Sequence, residues 1–271
     1  RGIAVAICAS GNYLGGAIWP PIVQHFVEAV GWRQTYLGLA VFCSVTLLAL
    51  AQLMRQRPPA LAAQPAMARG QPAGSLPFGL KPGTALALLS VAGVSCCVAM
   101  SMPQVHIVAY CADLGYGAAR GAEMLSLMLA CGIVSRLISG AICDRIGGLR
   151  TLLLGSALQT VALVMFLPFD GLVPLYLISA LFGLFQGGIV PSYAIIVREH
   201  FAPARAGTYV GAVIMCTMLG MALGGWMSGK VFDITGSYHA AFLNGIAWNL
   251  LNFGIVVVLL MRVRRGRVSS V

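Results

Sequence analysis

The chain has 271 residues, of which 59% are hydrophobic and 9% charged, with a mean hydropathy of +0.89 and a formal net charge of +10. Soluble domains carry about 25% charged residues, so this composition excludes a soluble enzyme or binding module and leaves a multi-pass membrane protein. The eight cysteines lie in or at the ends of apolar runs, with no CxxC pair. They read as small buried hydrophobes and exclude a disulfide framework or a metal site.

Apolar runs of bilayer length, about 20 residues, recur along the chain. The first two cover residues 3–30 and 35–54. Residues 55–83 interrupt them with Pro58, Pro59, Pro65, Pro72, Pro77 and Pro82 and no acid. That stretch reads as a flexible basic linker, resting near an anionic leaflet. Six further spans follow at 84–112, 118–143, 149–167, 172–197, 206–231 and 240–261. The expected fold is an all-α membrane protein of about eight transmembrane helices. Its expected domains are a two-span unit (1–54), the linker (55–83), a six-helix bundle (84–265) and a short tail (266–271).

Alternating the spans from Arg1 in the cytoplasm gathers 13 of the 17 basic residues on the cytoplasmic side. Arg33, Arg120 and Lys230 lie opposite, and five of the seven acids (Glu28, Asp113, Glu123, Asp170, Asp233) fall on or near that opposite side. This is the positive-inside pattern. It accounts for the net charge without a nucleic-acid partner. The expected location is the plasma (inner) membrane, with both ends of the chain cytoplasmic and RVRRGR (262–267) as an anchor on the lipid bilayer.

The pair of spans before the linker resembles the pair ending the chain. Each has an LGG (14–16 and 223–225), a re-entry (Gly31-Trp32-Arg33 and Gly236-Ser237-Tyr238) and an exit (Met54-Arg55 and Met261-Arg262). Together with a start at Arg1 rather than Met, the repeat suggests a piece of a longer chain, about four spans short of two matching units. Gly11, Gly15 and Gly16 in the first span, and Gly211, Gly220, Gly224, Gly225 and Gly229 in the seventh, suit close helix packing or helices that rock against each other.

Arg136 is the strong charge inside a span. It precedes Asp144 by eight residues, about 12 Å at 1.5 Å per residue, which sets it near the midplane of a core about 30 Å thick. Burying an arginine there costs about 2.5–3.5 kcal/mol on insertion scales. A carboxylate suits its forked donors; the other reading is a structural arginine bonded to helix-end carbonyls or drawn toward the cytoplasm. Asn12, Gln104, His106, Gln186, Tyr193 and Asn249 either line a cavity or make inter-helix hydrogen bonds. Gln186 ranks first, because Gly183, Gly187 and Gly188 leave space beside it. No Asp or Glu lies mid-span, so a coupling proton, if one is carried, uses a relay outside this chain or the substrate itself. No nucleophile–base pair or HExxH motif occurs, which argues against an enzyme, a cofactor and a catalytic metal.

The segment GAICDRIGGLR (140–150) resembles the loop signature GxLaDrxGrr of the major facilitator superfamily, which lies between the second and third spans of each six-helix bundle. Gly140, Asp144, Arg145, Gly147 or Gly148, and Arg150 carry the match. SGKVFDITGSYHAAF (228–242) is similar to the entry into the last span of the monocarboxylate-transporter-like branch, through Gly229, Asp233, Thr235, Gly236, Ser237, Tyr238, Ala241 and Phe242. ADLGYGAARGAEMLSL (112–127) and Gly31-Trp32-Arg33 add to that likeness.

The resemblance covers essentially the whole chain. It implies two six-helix bundles working by alternating access, of which this chain would hold spans five to twelve. It implies a secondary transporter for a small organic anion, such as a monocarboxylate. It also implies that Arg136, four residues before Gly140, binds the substrate carboxylate. Some animal members carry an Asp one turn before this arginine; here that place is Gly132. The turn at 144–150 would act as a cytoplasmic latch, with Asp144 facing the N-terminus of the first span near residues 2–4. A carrier for a sugar or drug, and a transport-inactive fragment, stay open as alternatives.

Overall fold

Backbone in lipid finds no water to bond, so an apolar run of this length closes its hydrogen bonds within itself as a helix. The computed structural model describes residues 2–53, 76–202 and 205–268. In chain order the helices are α1 (Gly2–Val30), α2 (Trp32–Leu53), α3 (Pro82–Asp113), α4 (Ala118–Ile146), α5 (Gly148–Met165), α6 (Leu172–Gln186), α7 (Ile189–His200), α8 (Ala206–Thr235) and α9 (Tyr238–Val268). No strand occurs among the described residues.

Among the described residues, seven segments are long and apolar enough to cross a bilayer, with α6 and α7 counting together as one. α1 has the length at 29 residues, but Asn12, Tyr13, Pro20, Pro21, Gln24 and His25 dilute its apolar run. The sixth expected span is thus two helices, broken at Gly187-Gly188.

Most of the expected linker, residues 54–75, lies outside the described residues. Its end is packed. Pro77–Gly79 forms a 3-10 turn and α3 already begins at Pro82. Phe78 adopts φ 58, a region costly for a residue with a Cβ. Its ring is buried, stacked on His200 at 4.5 Å and edge-on to Phe201 at 6.1 Å. Burial of the ring offsets the backbone cost.

α3 packs on α8 and α9, α4 on α6, and α5 on α9, α6 and α7, while α1 lies along α4. Small residues set these separations. A Cβ on Gly224 of α8 would overlap the Val98 carbonyl and the Ser101 hydroxyl of α3. On Gly183 or Gly188 it would overlap Met128 or Ser139 of α4. α2 packs chiefly on α1, with Trp19 edge-on to Phe42 at 5.2 Å. Leu37, Val41, Leu47 and Leu48 face outward from it. Cys8 and Cys43, expected to be buried, are exposed on this same pair of helices.

The face bearing residues 76–81 and the 144–150 turn is here termed the linker face. On the far face, three acids are held by tyrosine hydroxyls. Tyr238 donates to Asp113 at 3.0 Å, Tyr110 to Asp170 at 2.7 Å, and Tyr176 to Glu123, which also pairs with Arg120 at 3.0 Å. The residues resembling the monocarboxylate-transporter branch build this end. Gly236 takes φ 65 to close α8, donating its N–H to Phe232 at 2.7 Å. Tyr238 then packs between Phe232 and Tyr110, and Phe242 stacks on Phe166 at 4.9 Å. Asp233 is exposed.

Candidate functional site

α1 and α4 run antiparallel along a seam that begins at Ile3 and Asp144 and continues to Ala17 and Ser126. Arg136 sits within it, 5% exposed. Its Nε donates to the Gly187 carbonyl at 3.0 Å and its Nη1 to the Ala9 carbonyl. The Tyr13 ring covers the guanidinium, 3.9 Å from centroid to Cζ.

Proline placement explains the acceptor on Gly187. In an unbroken helix that carbonyl would take the N–H four residues on, but residue 191 is proline and has none. Arg136 supplies the missing donor from another helix. The same arithmetic applies in α1. Pro21 cannot serve the Ala17 carbonyl, and the Ser126 hydroxyl of α4 does so instead.

An arginine has five N–H donors. Two are used for backbone carbonyls, and the Tyr13 phenol bears on the rest of the group. No ion pair to Arg136 occurs among the described residues. Tyr13 occupies the space beside Gly132. A Cβ at Gly132 would come within 2.8 Å of the Tyr13 ring carbons. A π face can hold a cation without a compensating carboxylate.

The other candidates separate. Gln186 is fully buried one residue before the carbonyl that Arg136 holds, and neither amide atom has a hydrogen-bond partner. Asn12 is exposed, about 60° around α1 from the Ala9 line at 100° per residue. His106 bonds the Gly225 carbonyl at 2.9 Å and so ties α3 to α8. Gln104 is half-buried, its amide nitrogen unpartnered. Tyr193 donates to Asn252 at 2.9 Å, inside the bundle.

At the linker face the Asp144 Oδ2 accepts the Ile3 N–H at 3.3 Å, and Arg145 and Arg150 are exposed. Gly140 is buried in α4, one turn from Arg136. Gly147 takes φ 86 between α4 and α5, a region that favours glycine. Gly148 opens α5, and its N–H is accepted by both oxygens of Glu199, at 3.2 and 3.1 Å. A Cβ there would lie 2.7 Å from Ile196, so glycine permits the close approach of α7. Among the described residues no group of three or more His, Cys, Asp or Glu side chains could hold a metal ion.

The family model for the Major Facilitator Superfamily matches residues 1–225 and, in a second match, residues 124–270. The chain belongs to this superfamily. It is similar to monocarboxylate transporter 13 of Bos taurus, 28% identical over 261 residues, covering 96% of this chain and 60% of that protein. Monocarboxylate transporter 13 of Rattus norvegicus is likewise 28% identical over 268 residues, with the same coverage. An MFS-type transporter of Gibberella moniliformis is 26% identical over 277 residues, covering 98% of this chain and 63% of that protein. The chain thus spans about 60% of the length of these superfamily relatives.

Three kinds of contact in this superfamily member escape a reading of the sequence. Tyr13 lay in the first span as an ordinary aromatic, and its signal was its register opposite Gly132. Glu199 was one of two acids left on the basic side, a leftover that invites a structural reason. Ser156, Thr160 and Asn252 join Asn249 and Tyr193 in one buried network. Asn252 donates to the Ser156 hydroxyl at 2.9 Å, and Asn249 to the Ser156 carbonyl at 2.9 Å and the Thr160 hydroxyl at 2.7 Å.

Proposed function

We propose that this chain forms part of a secondary transporter that moves a small organic anion, with a monocarboxylate as the substrate class, by alternating access. Arg136 carries the proposal. It is buried and held through Nε and Nη1, and no counter-charge to it is left among the described residues. Leaving a buried charge uncompensated is costly, and a substrate carboxylate supplies both the charge and the acceptors. Gln186, buried and unpartnered next to this group, is assigned to a second polar group on the substrate. The similarity to monocarboxylate transporters agrees with this substrate class.

In this reading the linker face is cytoplasmic, and the Asp144–Ile3 contact belongs to the gate on that side. The domain division proposed from the sequence places α1 and α2 with one bundle and α3 to α9 with the other. The seam through Arg136 is then the moving interface.

The test is uptake of labelled carboxylates into proteoliposomes by the complete protein, with a neutral sugar as control. Arg136→Ala and Arg136→Lys should abolish carboxylate uptake while inserting normally. Lysine carries the charge but cannot hold Gly187 and grip a carboxylate in a two-pronged way at once. Undiminished uptake by either well-inserted variant would sink the assignment.

A second reading has its own observation. Arg136 bonds carbonyls on α1 and at the α6–α7 break, as a purely structural staple would. Arg136→Lys would then lower thermal stability and leave the apparent affinity for substrate unchanged.

A further inference from the structure

We infer that the linker face holds a binding site for the headgroup of an anionic phospholipid, between the α4–α5 turn and the end of α9. The inference stands apart from the reading of Arg136 and does not depend on which solute is carried.

A cavity of about 290 Å³ opens there, lined by Arg145 and Arg150 of the turn, by Glu199 and His200 of α7, and by Arg264 of α9. All three arginines are exposed. The one carboxylate in the lining is already committed, since both Glu199 oxygens accept the Gly148 N–H. The rim therefore carries three cations, from the turn and from α9, against one carboxylate.

The remaining wall is aliphatic. Leu149 is buried, and Leu260 and Val263 are half-buried below the arginines. Two elements build this arrangement from different parts of the chain. The Gly147-Gly148 turn brings Arg145 and Arg150 to one side. α9 continues as helix past Arg262 and carries Arg264 out of the apolar layer.

A site with a cationic rim above an aliphatic wall, at the end of membrane-spanning helices, matches an amphiphile. The phosphate meets the arginines, and the glycerol and first methylenes lie on Leu260 and Val263. A small soluble anion would use only the rim. Charge complementarity and the aliphatic wall together select the lipid.

The test uses the full chain, purified in mild detergent and incubated with equal amounts of phosphatidylglycerol and phosphatidylcholine. Bound lipid is counted by native mass spectrometry. Phosphatidylglycerol should be retained preferentially. Basic residues at a membrane surface contribute about fivefold each in affinity for anionic lipid. Arg150→Gln/Arg264→Gln should therefore lose roughly 25-fold of the preference. Arg33→Gln/Lys230→Gln, with the same charge change on the far face, should keep it.

Equal loss in both double variants would overturn the site in favour of net charge alone. Retention in Arg150→Gln/Arg264→Gln would overturn it outright. Displacement of the lipid by millimolar inorganic phosphate would show a soluble-anion site and overturn the lipid assignment. Should the double variant fail to fold, Arg264→Gln alone, outside the turn, carries the same test at about fivefold.

Discussion

The ring of Tyr13 lies over the Arg136 guanidinium, 3.9 Å from centroid to Cζ, in space that exists because residue 132 is glycine. A cation–π contact of this kind is worth about 0.5–2 kcal/mol, and the Tyr13 phenol adds a polar contact of its own. Tyr13→Phe keeps the ring and should therefore lose less thermal stability than Tyr13→Leu, which loses the ring contact as well. Gly132→Ala pushes a methyl into the ring and should cost about 1–3 kcal/mol as overpacking. Thermal melts in detergent check all three. Equal melting of the Phe and Leu variants would remove the ring from the account.

Pro191 acts on Arg136 without touching it. Restoring an N–H with Pro191→Ala lets α7 reclaim the Gly187 carbonyl, and Arg136 then loses its clearest anchor. Thermal stability should stay level or rise, because the helix becomes continuous. Substrate affinity should fall roughly fivefold, the equivalent of about 1 kcal/mol for one hydrogen bond. A Pro191→Ala transporter with unchanged affinity would mean that Arg136 is held by Ala9 and Tyr13 alone.

Two carboxylates on the linker face sit at helix N-termini: Asp144 on α1, across the seam proposed to move, and Glu199 on α5, within one bundle. A negative charge at such a terminus contributes about 0.3–1 kcal/mol where exposed. Asp144→Asn should bias the protein toward opening on that face, while Glu199→Gln, whose bond stays within one bundle, should not. Cys143 is the natural reporter, since it precedes Asp144 and is 3% exposed. With the other seven cysteines replaced, its labelling by a maleimide applied from the linker side should speed up severalfold in Asp144→Asn and stay level in Glu199→Gln. An unchanged labelling rate in Asp144→Asn would show that this charge holds the turn without gating it.

The residues that were legible in advance are those whose role is local. Asp144, Gly147 and Gly148 announce a turn by type and spacing, and the structure finds the turn there. The spans followed from apolar run length, though the Gly187-Gly188 break did not, because hydropathy is blind to which carbonyl lacks a donor. The partners of His106 and Tyr193 were hidden for a related reason. A polar residue in a span shows that it needs a partner, but which helix supplies one depends on helix rotation and packing order. Arg136 shows both sides. Its depth was countable from Asp144, while Ala9, Tyr13 and Gly187 come from segments 127, 123 and 51 residues away.

The polar network Tyr193–Asn252–Ser156–Asn249–Thr160 joins α7, α9 and α5 inside the bundle. Tyr193 and Asn252 are fully buried, so removing one partner leaves the other unpaired. Single hydrogen bonds between membrane helices average about 0.6 kcal/mol and reach about 1.7. Tyr193→Phe strands only the Asn252 oxygen and should cost about that range. Asn252→Leu strands the Tyr193 hydroxyl and also removes the donor to Ser156, whose hydroxyl keeps its bond to Asn249, and should cost more. In the double variant Tyr193→Phe/Asn252→Leu the tyrosine hydroxyl is gone as well, so the combined loss should be smaller than the sum, with a coupling of about 0.5–2 kcal/mol. A thermal-denaturation cycle over the four proteins measures it. Strict additivity would mean that the two side chains do not share a bond in the membrane. A measured coupling with unchanged substrate affinity would assign Tyr193 to the rigidity of the bundle and remove it from the substrate site.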